Sequence, residues 1–122
     1  MSLIFEGEVV TGVKQGAVFI SRYEQKIRDA CGFNPFPGTL NVKLKEEPSL
    51  PEHSNFISSW TERGYEYGAV WCYPCTINGL QAALLVPEKA EHGVETVEII
   101  SPFCLRTRLG LKNGRKVRIE IP

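Results

Sequence analysis

Residues 32–44 read GFNPFPGTLNVKL, a loop restrained by two prolines that runs directly into a strand with a polar outer face. Successive strand side chains point to opposite faces, so Leu40, Val42 and Leu44 can enter a core while Thr39, Asn41 and Lys43 share the other side. That row holds a hydroxyl, an amide oxygen and an ammonium. Two neutral oxygens suit a hard cation such as Mg²⁺, which keeps several waters and completes its shell with substrate phosphates, and a lysine suits the phosphates themselves. The same pattern also fits an exposed strand face behind a rigid turn. Glu98, between Val97 and Ile99, must point away from those apolar neighbours, either to solvent or into a cleft.

The other residues with chemical potential are the four cysteines, Cys31, Cys72, Cys75 and Cys104, and the two histidines, His53 and His92. Cys72-Tyr73-Pro74-Cys75 has the spacing of half a zinc site or of a redox pair. No second pair completes it, and its flanks read as a strand, so these thiols are expected to pack as small hydrophobes. Neither histidine has a partner at ligand spacing, and both are expected at the surface.

The elements that must position these residues are short. Residues 3–10 alternate as a strand, residues 12–16 read as a turn, and Ala17-Val18-Phe19-Ile20 reads as a second, apolar strand. Ser21 and Glu24 form a capping box, Tyr23, Ile27 and Ala30 keep helical spacing, and Gly32 stands where a helix would end, which predicts a helix over 22–31. Residues 45–54 read as a surface loop, and residues 55–63 are ambiguous. Residues 68–73 and 80–86 predict two strands joined by a tight hairpin at Asn78-Gly79. A strand over 94–100 follows, then a short helix opened by Pro102 and closed by Gly110, then a turn at Asn113-Gly114 and a final strand over 116–121. Six or seven short strands with two small helices and no alternating strand–helix rhythm predict an all-β domain, a compact barrel or sandwich.

Four stretches together resemble the archaeal CTP-dependent riboflavin kinases. The phrase at residues 32–44 is of the family type G-F-x-P-F/Y-x-G-T-L-N-x-K-L. In the family's order it is accompanied by EGEVVTG (6–12), VETVEIISP (94–102), and Leu105-Arg106 with LGLKNG (109–114). The resemblance spans nearly the whole chain. It implies a six-stranded cradle-loop barrel that transfers the γ-phosphate of CTP to the 5′-hydroxyl of riboflavin, giving FMN and CDP. It further implies that Thr39 and Asn41 bind Mg²⁺ or another divalent cation.

Nucleotide contacts are implied for Gly12, Val13, Lys14, Gln15, Gly16 and Ala17, and for Phe103, Cys104, Leu105 and Arg106. Flavin contacts are implied for the Ala90 position and for Glu98, which is also the candidate acceptor of the hydroxyl proton. The sequence departs from the family at three of these positions. Lys14 replaces a glycine and Ala17 an arginine of the glycine-rich loop, and Ala90 replaces a threonine. An alternative is therefore a non-catalytic flavin- or nucleotide-binding module of the same fold.

Length and composition set the outer bounds. The 122 residues suit one domain, expected to span residues 1–122, large enough to bury a core without staples. Fourteen basic residues balance fourteen acidic ones, so no global field draws nucleic acid or an anionic membrane, and any phosphate site must be local. The N-terminus has no secretory pattern and no apolar run is long enough to span a bilayer. The expected protein is cytoplasmic, a monomer or small homo-oligomer, with no nucleic-acid or membrane partner.

Overall fold

Alternating burial along Leu3–Val10 makes the first strand, β1. The computed structural model describes residues 3–11, 16–45, 50, 55–87 and 96–122. After β1 the chain forms α1 (Gly16–Cys31), β2 (Leu40–Leu44), β3 (Asn55–Ile57), β4 (Trp60–Glu62), β5 (Tyr65–Tyr67), β6 (Val70–Ile77) and β7 (Leu80–Pro87). It ends with β8 (Thr96–Ile100), α2 (Leu105–Leu109) and β9 (Lys116–Ile121).

Six strands close on themselves. The antiparallel pairs run β1–β2, β2–β8, β8–β7, β7–β6, β6–β9 and β9–β1, so the sheet becomes a barrel without a long free edge. The expected all-β barrel is thus what forms. β3 adds to the free stretch of β6, and β4 pairs with β5 as a separate hairpin. On that edge of β6, residues 70–72 pair with β3 and residues 76–77 with β9. Pro74 falls between the two pairings, where no ladder N–H is called for.

The interior is filled by Val9, Val42, Leu44, Cys75, Ile77, Leu84, Ile99 and Ile119, among others. Burying each large aliphatic side chain contributes on the order of 1.5–3 kcal/mol. A second core lies on the outside of the barrel, where Ile20, Tyr23 and Ile27 of α1 cover Val70, Cys72, Ala83, Leu85 and Ile100. Strands β6 and β7, and β8 at Ile100, therefore carry apolar residues on both faces, as a sheet covered on both sides must. β1 and β2 approach closely at Gly7, where an added Cβ would meet the Lys43 carbonyl oxygen at 2.8 Å.

Three expectations give way. Ala17-Val18-Phe19-Ile20 is not a strand but the opening of α1, because Ile20, Tyr23 and Ile27 at helical spacing gain a sheet face to cover. Tertiary burial overrides the β preference of that run. Ser21 is consequently no cap: it lies inside the helix, and its Oγ donates back to the Val18 carbonyl at 3.0 Å. The turn expected over residues 12–16 does not extend to Gly16, which opens α1; residues 12–15 lie outside the described residues.

The expected helix end holds. Gly32 adopts φ +77° and its N–H reaches the Arg28 carbonyl. α2 is shorter than expected, beginning at Leu105 after Cys104 and ending at Gly110 in a left-handed conformation, φ +62°. The Asn78-Gly79 turn forms, with both residues at positive φ, and Asn78 is bonded to Arg118 of β9 through backbone and side chain. The β4–β5 hairpin, which turns at Arg63-Gly64, is not among the strands expected from the sequence. Residues 94–95, the expected start of β8, and residues 46–49 and 51–54 of the expected loop lie outside the described residues.

Candidate functional site

The alternation expected for residues 40–44 is present. Leu40, Val42 and Leu44 are buried, Asn41 is half-buried and Lys43 is exposed. What strand periodicity does not specify is the neighbour, and register supplies it: Asn41 on β2 stands directly opposite Glu98 on β8. Side chains so paired have Cβ atoms about 5 Å apart on the same face. Thr39, just before β2, donates its hydroxyl proton to Glu98 Oε1 at 3.1 Å. Thr39, Asn41 and Glu98, 59 residues apart at the extremes, thus form one polar group on the outer face of the barrel. Lys43 continues the row, between Glu8 of β1 and Thr96 of β8.

The hydroxyl of Thr39 gives its proton to a carboxylate and keeps its lone pairs free. With the amide oxygen of Asn41 this makes a pair of neutral donors beside one negative charge. Among the described residues no group of three or more His, Cys, Asp or Glu could hold a metal. A hard cation that took these two neutral oxygens as ligands would complete its shell with water or ligand oxygens.

Thr39 also lines a small cleft that opens beside this group. Phe36, Gly38, Thr39 and Leu40 form one side of it, and Phe103, Cys104, Leu105 and Arg106 another, with Ile99 and Ser101 at the base. Asn41 and Glu98 do not line it; Thr39 is the residue common to both. The guanidinium of Arg108 covers the Phe103 ring at 4.5 Å from its centroid. Arg106 pairs with no carboxylate among the described residues, and its Nη2 donates to Asn113 Oδ1 at 2.9 Å. Hydrogen bonds from Thr107 hold the Cys104 thiol below the ordinary thiol range.

Ser101 ties the sides of the cleft together and escaped the sequence reading. It is 2% exposed, the one buried polar side chain among the described residues. Its carbonyl accepts from the Phe36 N–H at 2.8 Å, while its Oγ donates to the Gln81 carbonyl at 2.7 Å and accepts from the Phe103 N–H at 3.2 Å. A serine ending an apolar strand just before a proline was the available signal. Asn113 was likewise read only as a turn residue.

The remaining candidates fall elsewhere. Gly12, Val13, Lys14, Gln15 and Ala90 lie outside the described residues. Gly16 opens α1 and Ala17 is exposed in its first turn. Of the aromatic residues, Phe36 reaches the cleft together with Phe103, whereas Trp60 and Tyr67 stack at 4.7 Å between centroids and pack with Tyr23 under α1. Trp71 packs on Phe56, and Tyr65 is exposed.

Cys72 and Cys75 are both buried, but on opposite faces of β6, Cys72 under α1 and Cys75 inside the barrel, so they cannot share a metal. Burial pushes the Cys75 thiol up to about 12. Cys72 is likewise raised, by its contact with Cys31 and by burial, and the same contact lowers Cys31. These thiols are packing residues, as their sequence context suggested.

The family model CTP-dep_RFKase, described as "Domain of unknown function DUF120", matches residues 9–121. The chain belongs to the CTP-dep_RFKase family. Similar proteins include the riboflavin kinase of Ignicoccus hospitalis, 38% identical over 124 residues that cover 95% of this chain and 69% of the relative. The riboflavin kinase of Thermococcus kodakarensis is 37% identical over 123 residues, covering 97% of this chain and 58% of the relative. That of Saccharolobus solfataricus is 37% identical over 130 residues, covering 98% and 74%. The family member described here thus spans between about half and three quarters of the length of the curated relatives it matches. No helix among the described residues is long and apolar enough to cross a membrane.

Proposed function

We propose that this chain is a riboflavin kinase domain, a phosphotransferase acting on an alcohol group, which uses CTP as donor and yields FMN and CDP. The observation that carries the proposal is Thr39, which lines the cleft while its hydroxyl bonds Glu98 and its neighbour in the row, Asn41, stands opposite Glu98. Membership of the CTP-dep_RFKase family and the similarity to named riboflavin kinases support it.

In this reading Thr39 Oγ1 and Asn41 Oδ1 would hold Mg²⁺, and their character as adjacent neutral donors beside a carboxylate fits that ion. Bound there, a divalent cation would supply charge neutralisation on the nucleotide phosphates. Phe103, Cys104, Leu105 and Arg106 contact the nucleotide, with Arg106 and Lys43 available to the phosphates. Gly12, Val13, Lys14 and Gln15, which precede α1 in the chain, and Gly16 and Ala17, which open it, would contribute backbone N–H groups to the nucleotide in this reading.

Glu98 contacts the flavin ribityl chain and accepts the 5′-hydroxyl proton as that oxygen bonds to the γ-phosphorus and the bond to the β-phosphate oxygen breaks, releasing CDP. In this reading the Ala90 position, which lies outside the described residues, would meet the flavin without the hydroxyl of the family threonine. The partners are these small molecules, the protein acts as a monomer or small homo-oligomer in the cytoplasm, and residues 1–122 form one domain.

A second reading, a flavin- or nucleotide-binding module without turnover, is favoured by Lys14, Ala17 and Ala90. Three lost contacts of about 1 kcal/mol each would weaken ligands roughly a hundredfold. Chromatography of reactions containing riboflavin, Mg²⁺ and either CTP or ATP separates the two. FMN formed with CTP and little with ATP is the expected result. Ligand binding with no FMN from either nucleotide would favour the module.

A further inference from the structure

The geometry points to Asn113 as a positioning residue for the nucleotide, one that orients Arg106 without neutralising it. This inference rests on the proposed nucleotide role of Arg106. Asn113 sits in the turn between α2 and β9, which is closed by the Arg115 N–H on the Lys112 carbonyl at 3.0 Å and has Gly114 at φ +91°. Its side-chain amide works at both ends. The oxygen accepts from Arg106 Nη2 at 2.9 Å, and the nitrogen donates to Thr11 Oγ1.

Three segments therefore meet on one amide: α2, which carries the cleft residues Leu105 and Arg106; the turn ahead of β9; and the residue that follows β1 and leads into residues 12–15. The backbone supports the same junction, because the Leu111 N–H bonds the Arg106 carbonyl and the Gly114 N–H bonds the Val9 carbonyl, both at 2.8 Å. Asn113 thus ties Arg106, in one stretch that the nucleotide reading assigns, to Thr11, the residue that precedes the other.

The choice of an amide matters chemically. An asparagine presents one acceptor for the guanidinium and one donor for the hydroxyl, and carries no charge. Arg106, which has no carboxylate partner among the described residues, keeps its full charge for an anionic ligand. An aspartate could satisfy the same geometry, with the Thr11 hydroxyl turning to donate, but it would pair with Arg106 and compete with phosphate. A long, exposed arginine held at one end also loses less freedom when it binds.

The test is calorimetric titration of CDP and Mg²⁺ into the whole chain, for the native protein, Asn113→Ala, Asn113→Asp, Arg106→Ala and the double variants, at low and high salt. Arg106→Ala is expected to weaken CDP about tenfold, the scale of one charge-assisted hydrogen bond. Asn113→Ala should weaken it about threefold, and Asn113→Asp about tenfold or more, with the aspartate deficit shrinking at high salt. Neither Asn113 change should add more than about twofold in the Arg106→Ala background. In turnover, the CTP KM should rise in both Asn113 variants while kcat and the riboflavin KM stay put.

Weakening by Arg106→Ala with native-like binding in both Asn113 variants overturns the positioning inference and leaves the nucleotide reading intact. Additive losses in the double variants overturn it as well, since Asn113 would then act independently of Arg106. Native-like binding by Arg106→Ala overturns the nucleotide role of that arginine and the inference with it.

Discussion

The polar group on β2 and β8 and the wall at α2 meet at one cleft, yet they are held in different ways. Asn41 and Glu98 face one another because two paired strands of a closed barrel fix them in register, with Val42 and Val97 buried beneath. Moving either residue would mean shifting a ladder, which flips every side chain on the strand. Arg106 and Asn113, by contrast, are exposed side chains held by polar contacts on a five-residue helix and a turn. Backbone register suits groups that must hold their productive geometry to within about 0.5 Å. Side-chain networks at the surface suit groups that admit and release a ligand. The difference teaches where chemistry and where recognition would reside, and substitutions can be chosen to separate them.

The largest effect is expected on the register-held side. Glu98→Gln keeps the hydrogen bond from Thr39 but cannot take a proton, so the rate of FMN formation should fall by about 10²–10⁴-fold, the usual worth of a general base. CDP affinity, measured in parallel, should hardly change; a comparable loss of CDP binding would erase the division between the two sides.

Next comes the residue that joins them. Ser101→Ala leaves the Phe103 N–H and the Gln81 carbonyl without their buried partner and should cost about 1–3 kcal/mol, read as a lower thermal midpoint. An unchanged midpoint would mean that the sides are positioned without it.

A smaller effect is expected at the α2 wall. Arg106→Lys retains the charge but loses the planar donor fork, so the CTP KM should rise a few-fold with kcat preserved. A fall in kcat alone would move Arg106 to the chemical side of the comparison.

The smallest effect concerns the barrel that both sides share. In the folded protein the Cys75 thiol is raised to about 12 and Cys72 is raised as well, so both stay neutral where the unfolded thiols ionise. That contribution to stability is fully present below about pH 8.5, the ordinary thiol value, and is lost as pH rises toward 12. The thermal midpoint should therefore drop between pH 8 and pH 10.5, and by less in Cys75→Val. An identical drop in that variant would assign the alkaline loss to other groups.

Much of this arrangement is legible along the chain, and the illegible parts share a cause. The alternation of Leu40 to Leu44, the Gly32 and Gly110 helix ends and the Asn78-Gly79 turn follow from local rules, and each appears where expected. The pairing of Asn41 with Glu98 does not, because register between β2 and β8 is set by barrel closure and not by either segment alone. Ala17 to Ile20 misled for the same reason: the run is apolar enough for a strand, and only the uncovered face of β6 to β8 makes it a helix. Ser101 and Asn113 carry small polar side chains whose importance lies wholly in what three distant segments bring to them. The candidate site was visible as residues, and its connections were not.

The measurement that tests the account most directly is the Mg²⁺ dependence of FMN formation from riboflavin and CTP, for the native protein and for Asn41→Ala. The native protein should form FMN with saturable Mg²⁺ dependence, and the variant should need at least about tenfold more Mg²⁺, the penalty expected for losing one oxygen ligand. Superimposable Mg²⁺ curves would contradict the metal assignment to Asn41, and an absence of FMN from the native protein at every Mg²⁺ concentration would contradict the kinase reading itself.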